Sequence, residues 1–223
     1  HRDLHSFPTR RSSDLLLART TPADEVAKRT DGLSTIIVDL REAKGNGLEI
    51  QSIPTMINHN TNSVFMDDLK VPVENLIGEE GKGFRYILDG MNAERVLVAS
   101  ESIGDGRWFT EKAVAYASDR EVFGAPIGAN QGIQFPIARN YASIKAAELM
   151  VRQAAALFDA GQPCGAEANM AKMLASEAAW AAADDCMQTF GGFAFAKEYD
   201  IERKWREARL YRTAPISTNL ILA

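Results

Sequence analysis

The sequence predicts an α+β protein in which antiparallel strands are followed by an up-down bundle of about four helices. Two changes along the chain carry that expectation. From Leu16 to about Ile77 apolar residues recur with a period of two, and beyond Gly81 the period becomes that of a helix and stays so. The joints between the helical stretches are short and rich in glycine and proline, as at Gly161–Pro163 and Gly191–Gly192, so successive helices have to double back.

Each element follows from its own residues. Ile36, Val38 and Leu40 alternate with other residues, Lys44-Gly45-Asn46-Gly47 supplies a turn whose glycines tolerate positive φ, and Leu48, Ile50 and Ser52 alternate again. A further strand is expected over Ser63 to Val71, ended by Pro72. Gly78-Glu79-Glu80-Gly81 opens the first helix with acidic residues at the end where negative charge is favourable. That helix is expected to run to about Ser118, with Gly104 and Gly106 as weak points in its middle. A loop over Arg120 to Gly128 leads to a second helix from about Asn130 to Ala160, with an apolar stripe of Ile133, Ile137, Tyr141, Ile144, Val151, Ala155 and Phe158. The third, about Ala166 to Thr189, repeats Met173, Trp180 and Met187 at sevens with alanine between them, which permits close helix approach. A charged helix from about Asp200 to Tyr211 and a last one near Pro215 complete the chain.

Composition narrows the classes of function. Residues 1–15 are polar and aperiodic, and Phe7 to Leu15 resembles one reading frame of a short-read sequencing adapter, so the segment is set apart as a non-native, disordered leader. It takes His1 and His5 with it and leaves only His59, which removes the material for a His-rich metal site or a Ser-His-Asp set; no metal is expected. The segment holds three arginines and two aspartates, so the chain's net charge of −5 becomes −6 without it, and no basic footprint for nucleic acid exists. Cys164 and Cys186 form no disulfide framework, so a reducing, cytoplasmic compartment is the expectation. No apolar run approaches the length of a membrane span. The chain begins inside an apolar run and stops at Ile221-Leu222-Ala223, and both ends are read as cuts.

One residue type in the first helix does not suit its setting. On a helical wheel Phe84, Ile87, Leu88, Met91 and Val98 form a stripe interrupted by Glu94 and Arg95. A carboxylate in apolar surroundings needs a partner or a task, which makes Glu94 a candidate acid with a raised pKa. Pattern alone leaves an enzyme, an interaction scaffold and a ligand carrier open.

Four stretches narrow the choice. Asp119-Arg120-Glu121-Val122-Phe123-Gly124-Ala125-Pro126-Ile127 with Asn130-Gln131-Gly132-Ile133-Gln134-Phe135 resembles the R-x-x-F-G-x-P-I…Q-x-x-Q-F signature of the acyl-CoA dehydrogenase family. Phe65 to Pro72, Asn75 to Phe84 and Gln188-Thr189-Phe190-Gly191-Gly192-Phe193 agree with it in order and spacing. The resemblance implies the C-terminal part of a middle β-domain over 16–80 and a helical bundle over 81–223. It also implies FAD as cofactor, with a fragment of this extent binding it poorly, and an acyl-CoA substrate, an electron-transfer flavoprotein as partner and a homotetramer. Arg120, Phe123 and Gln131 match positions that reach the FAD of a neighbouring subunit, and Gln188, Gly191 and Gly192 match a second such contact. Ser217 and Asn219 keep the places of further FAD contacts, and Asn92 and Arg95 match positions that hold the acyl-CoA.

The reaction so implied is α,β-desaturation, in which a base takes the α-proton while the β-hydrogen leaves as hydride to the flavin. Most of the family carries its base in a Y-E-G-T-S-E-type segment, and here Pro215 stands in the glutamate's place. The isovaleryl-CoA and long-chain types carry it on the first bundle helix before an arginine, which is the arrangement of Glu94-Arg95. Glu94 is therefore the expected base. An acyl-CoA oxidase of the same fold and a non-catalytic acyl-CoA-binding or assembly protein are the alternatives.

Overall fold

The computed structural model describes residues 3–6 by their backbone, and 13–57 and 61–223 in full; His59 lies outside the described residues. The chain divides into two units, His1–Gly90 and Met91–Ala223. That division falls about ten residues beyond the expected boundary at 80/81, because the first turns of the long helix belong with the strands. A methyl group on Gly83 would overlap the backbone nitrogen of Thr35, and Thr35 Oγ1 donates to the Gly83 carbonyl at 3.0 Å.

The first unit holds two three-stranded antiparallel sheets. Strands β1 (Asp3–Ser6), β4 (Leu48–Ile53) and β5 (Thr61–Met66) form one in the order β1-β5-β4; β2 (Ser13–Arg19), β3 (Leu33–Asp39) and β6 (Leu76–Ile77) form the other in the order β2-β3-β6. The turn with Gly45 at φ 81° and Gly47 at φ 93° thus joins strands of different sheets. Between them Leu40 starts a single helical turn, α1 (Leu40–Ala43), where continued strand was expected. Asp39 caps it, Oδ1 accepting from the Arg41 N–H at 2.9 Å, and an aspartate there favours helix over strand. The strand expected over Ser63 to Val71 ends at Met66, since the chain bends at Asp67-Asp68, where Asp68 takes φ 48°. Disorder was expected throughout residues 1–15; instead Asp3–Ser6 pairs with β5 and Ser13–Leu15 pairs with β3. A ladder uses backbone groups alone, so a polar, aperiodic stretch can occupy an edge. The remaining positions of that stretch lie outside the described residues.

The second unit is the bundle. Its long helices are α2 (Gly83–Asp119, of which Met91 onward belongs here), α3 (Gln131–Asp159) and α4 (Gly165–Phe190), followed by α5 (Ile201–Tyr211) and a short α6 (Thr218–Leu222). Between α2 and α3 lies a small hairpin of β7 (Glu121–Val122) and β8 (Ala125–Pro126). Four sets of contacts fix the directions. A methyl on Gly106 would meet Ile144 Cγ1 at 3.0 Å and one on Gly128 would meet the Ala117 carbonyl at 2.9 Å, so α3 descends beside a rising α2. Asn140 donates to Asp185 Oδ2 at 2.7 Å while Ile144 and Ala179 both meet Gly106, so α4 rises beside α3. The Trp180 and Trp205 rings lie 5.0 Å apart and Arg212 stands 4.0 Å from Glu177, so α5 descends beside α4. Finally Asn92 faces Gly165 as Gly106 faces Ala179, the same interval of fourteen residues on each helix, so α2 and α4 run parallel.

Alanine dominates the core: Ala99, Ala147, Ala154, Ala171, Ala175, Ala179 and Ala183 are buried around Phe109, Ile103, Ile144 and Phe190. Small side chains let the helix axes approach. Phe109 has no exposed surface, and burying a ring of that size contributes about 1.5–3 kcal/mol. Met173, Trp180 and Met187 sit half-buried at its margin. Tyr141 and Phe158, expected on the buried stripe of α3, are 57% and 42% exposed, because the seam runs instead through Asn140, Ile144, Ala147, Val151 and Ala154. Among the described residues no helix is long and apolar enough to cross a membrane.

Candidate functional site

The directions of the helices sort the expected site residues onto two ends of the bundle. Arg95 and Arg120 bracket the bundle portion of α2, roughly 37 Å apart at 1.5 Å per residue. At the far end α2 stops, α3 starts and α4 stops; at the near end α4 starts and α5 runs out into the 212–218 turn.

The far end is a groove of about 480 Å³ lined by Tyr116, Arg120, Val122, Ile127 and the run Thr189–Phe193. The stacked rings of Tyr116 and Phe190, 4.0 Å between centroids, form its floor with Tyr199 edge-on at 5.5 Å from Phe190. The guanidinium of Arg120 lies 5.9 Å from the Phe193 ring. Its backbone is held on both sides, the N–H by the Tyr116 carbonyl at 2.9 Å and the carbonyl by the Ile127 N–H at 2.8 Å. Next to it the hairpin turns through Phe123 at φ 55° and Gly124 at φ 80°, the two positive angles a tight β-hairpin requires. A phenylalanine seldom takes that conformation, and this one is 105% exposed. Gly191, at φ 59° and ψ −133°, has a backbone open to glycine alone and ends α4 in a 3-10 turn. Gln131 and Gln188 are exposed, as are Gly191 and Gly192. A fixed cationic fork, glycine amides that a ligand can approach and exposed carboxamides are a donor set for phosphate groups, and the aromatic floor suits a planar ring. These residues fit a dinucleotide such as FAD.

The near end differs from expectation in one respect. The buried face of α2 passes through Asn92, Arg95, Ala99, Ser102, Gly106, Phe109 and Ala113, alternating steps of three and four, and Glu94 lies about 100° off it, exposed. The expected apolar stripe followed the large residues of the helix's first turns, and Leu88 and Leu97 on that side are 43% and 61% exposed. Glu94 makes no hydrogen bond or ion pair among the described residues, whereas Arg95 donates to Asn92 Oδ1 at 3.0 Å and its buried Nε has no partner. The register of α2 against α4 puts Lys172 level with Ala99, one turn beyond Arg95. Lys172 donates to the carbonyl of Ile216 at 2.5 Å, so the 212–218 turn lies at this level too. Ser217 in that turn caps α6, its Oγ accepting from the Leu220 N–H at 3.2 Å, and Asn219 is exposed. Arg212, with a buried unpartnered Nε, stands beside Glu177.

Asn92, Glu94, Arg95, Ser217 and Asn219 therefore share one end, and Arg120, Phe123, Gln131, Gln188, Gly191 and Gly192 the other. Lys172, Glu177 and Arg212 escaped the sequence reading. Lys172 sits in the alanine seam of α4 next to Ala168, Ala171 and Ala175, a setting that on a helical wheel looks like a solvated face.

Known proteins share this fold. Residues 81–215 match the family model described as "Acyl-CoA dehydrogenase, C-terminal domain". The chain is 40% identical over 161 residues to a protein named Acyl-CoA dehydrogenase fadE12 from Mycobacterium bovis, covering 71% of this chain and 42% of that one. It is 36% identical over 187 residues to Caffeyl-CoA reductase-Etf complex subunit CarC of Acetobacterium woodii, 84% of this chain and 49% of that one. A solved glutaryl-coenzyme A dehydrogenase in complex with glutaryl-CoA superposes with a TM-score of 0.92 at 28% identity, over 99% of this chain and 56% of that one. The chain spans about half the length of the relatives it matches.

Proposed function

Because this chain belongs to the acyl-CoA dehydrogenase family, we propose that its full-length parent desaturates an acyl-CoA thioester between the α and β carbons, with Glu94 as the base. The observation that carries the reading is the near end of the bundle. Its turn offers Pro215, which takes no proton, while a free carboxylate stands one turn from that level beside an arginine. Glu177, a carboxylate beside the turn, faces Arg212.

In this reading the Glu94 carboxylate accepts the α-proton as that C–H bond breaks, and its electron pair becomes the new double bond as the β-hydrogen departs. FAD, when bound, supplies the acceptor for that hydrogen and its electron pair. Glu94 is exposed in the bundle unit, so the acyl chain and the rest of the parent protein have to exclude water from it, which strengthens a carboxylate as a base. Arg95, held by Asn92, keeps positive charge beside the carboxylate and toward the thioester. The far-end residues bind FAD of a second copy, since no single ligand bridges both ends; a homotetramer satisfies both. An electron-transfer flavoprotein is the reading's electron acceptor, supported by the relative named for an Etf complex.

Glu94→Gln in the full-length protein tests it. The variant is expected to retain FAD, while bleaching of the flavin by butyryl-, isovaleryl- and palmitoyl-CoA slows by roughly a thousandfold, the scale of a lost general base. Bleaching at the parent's rate would remove Glu94 from the mechanism, and loss of bleaching in Glu177→Gln instead would move the role there. Peroxide release matching acyl-CoA consumption would identify an oxidase.

A further inference from the structure

Among the described residues two charged side chains of the bundle are buried, Asp105 and Lys172, and Lys172 has no exposed surface at all. Asp105 is paired with Lys204. Lys172 has no such carboxylate contact. It rises from a face of α4 made of Ala168, Ala171, Ala175 and Ser176, each fully buried, and Ser176 spends its hydroxyl on the Met173 carbonyl at 3.1 Å. The acceptor the ammonium does have is the carbonyl of Ile216.

That carbonyl lies within the 212–218 turn, one residue after Pro215. One bond closes the turn around it, the Thr218 N–H reaching the Arg212 carbonyl at 3.2 Å, and the Ala214 N–H ties the turn back to the Leu210 carbonyl at 2.9 Å. Pro215 contributes no N–H. Burying an ammonium among alanines costs stability, and a methionine of the same length would fill the space without that cost. What methionine cannot do is hold a carbonyl. We infer that Lys172 is a positioning residue that fixes the 212–218 turn, and with it Ser217 and Asn219, toward the flavin about one turn beyond Arg95. This rests on the reading of the near end as a flavin site, and it does not require Glu94 to be the base.

The test uses the full-length protein with Lys172→Met and Lys172→Gln, measuring thermal melting without FAD, the Kd for FAD by quenching of flavin fluorescence, and flavin bleaching by acyl-CoA. Lys172→Met is expected to melt within about 3 °C of the parent or above it while binding FAD at least tenfold more weakly, because the turn is loosened and the core is not. Lys172→Gln, which keeps a neutral donor, is expected to bind FAD more tightly than the methionine variant. An unchanged Kd in Lys172→Met overturns the inference. So does a fall in melting temperature in both variants that tracks the loss of FAD, which marks a residue of the fold alone. Glu94→Gln is expected to leave the Kd for FAD unaltered, so a normal rate in that variant together with weak FAD binding in Lys172→Met would reject the base and keep the positioning residue.

Discussion

At Lys172 burial pushes the ammonium's pKa down from 10.5 to about 8, with the Arg212 guanidinium acting in the same direction and Glu177 against it. The sign of the stability effect follows. Below about pH 8 folded and unfolded chains both hold the proton; between there and 10.5 the unfolded chain holds it and the folded one sheds it, so folding gains as pH rises. Melting temperatures taken from pH 8 to pH 10 are expected to rise for the parent relative to Lys172→Met, in which the group is absent. A constant difference across that range would mean the lysine titrates normally. Cys186 illustrates the opposite use of burial: its thiol is pushed up to about 12 by desolvation, so it is expected to resist alkylation at pH 8 in the folded protein.

The same residues explain why the near end was only partly legible. Glu94 was found by its clash with a stripe of large apolar residues, and that stripe is half exposed. The true seam is carried by small and polar positions, Asn92, Arg95, Ala99, Ser102 and Gly106, which a count of hydrophobic residues passes over. Lys172 is hidden for the same reason, since on a wheel a lysine among alanines resembles a solvated face.

Among the elements, Gly104 and Gly106 in the middle of α2 separate helix propensity from packing. Gly104 is exposed and a methyl there would meet nothing within 4 Å, whereas one on Gly106 would lie 2.9 Å from Ile144 Cδ1 and 3.4 Å from the Ala179 Cα. Gly104→Ala is expected to stabilise the bundle by about 0.5–1 kcal/mol through backbone entropy. Gly106→Leu is expected to destabilise it by about 1–3 kcal/mol through overpacking at the crossing with α3 and α4. Urea titration of the two variants checks both signs. In the sequence the two positions are indistinguishable, because glycine looks alike on a wheel whether it faces solvent or a neighbouring helix. The helices themselves were legible almost to the residue, since period and glycine stops are local signals. The partition of strands into two sheets was not. It depends on which strands pair, and β4 pairs with β5 while β3 pairs with β2 and β6.

For the whole molecule, the separation of the two ends of the bundle decides how complete sites are built. A copy carrying Arg120→Ala keeps an intact near end, and one carrying Glu94→Gln keeps an intact far end. Neither alone assembles a working centre under the proposed reading. Mixed at random in equal amounts, the two crippled chains would reunite a sound half from each in about a quarter of the centres. Co-expression would then yield measurable turnover from two inactive parents, a complementation between alleles that a self-contained subunit could not display.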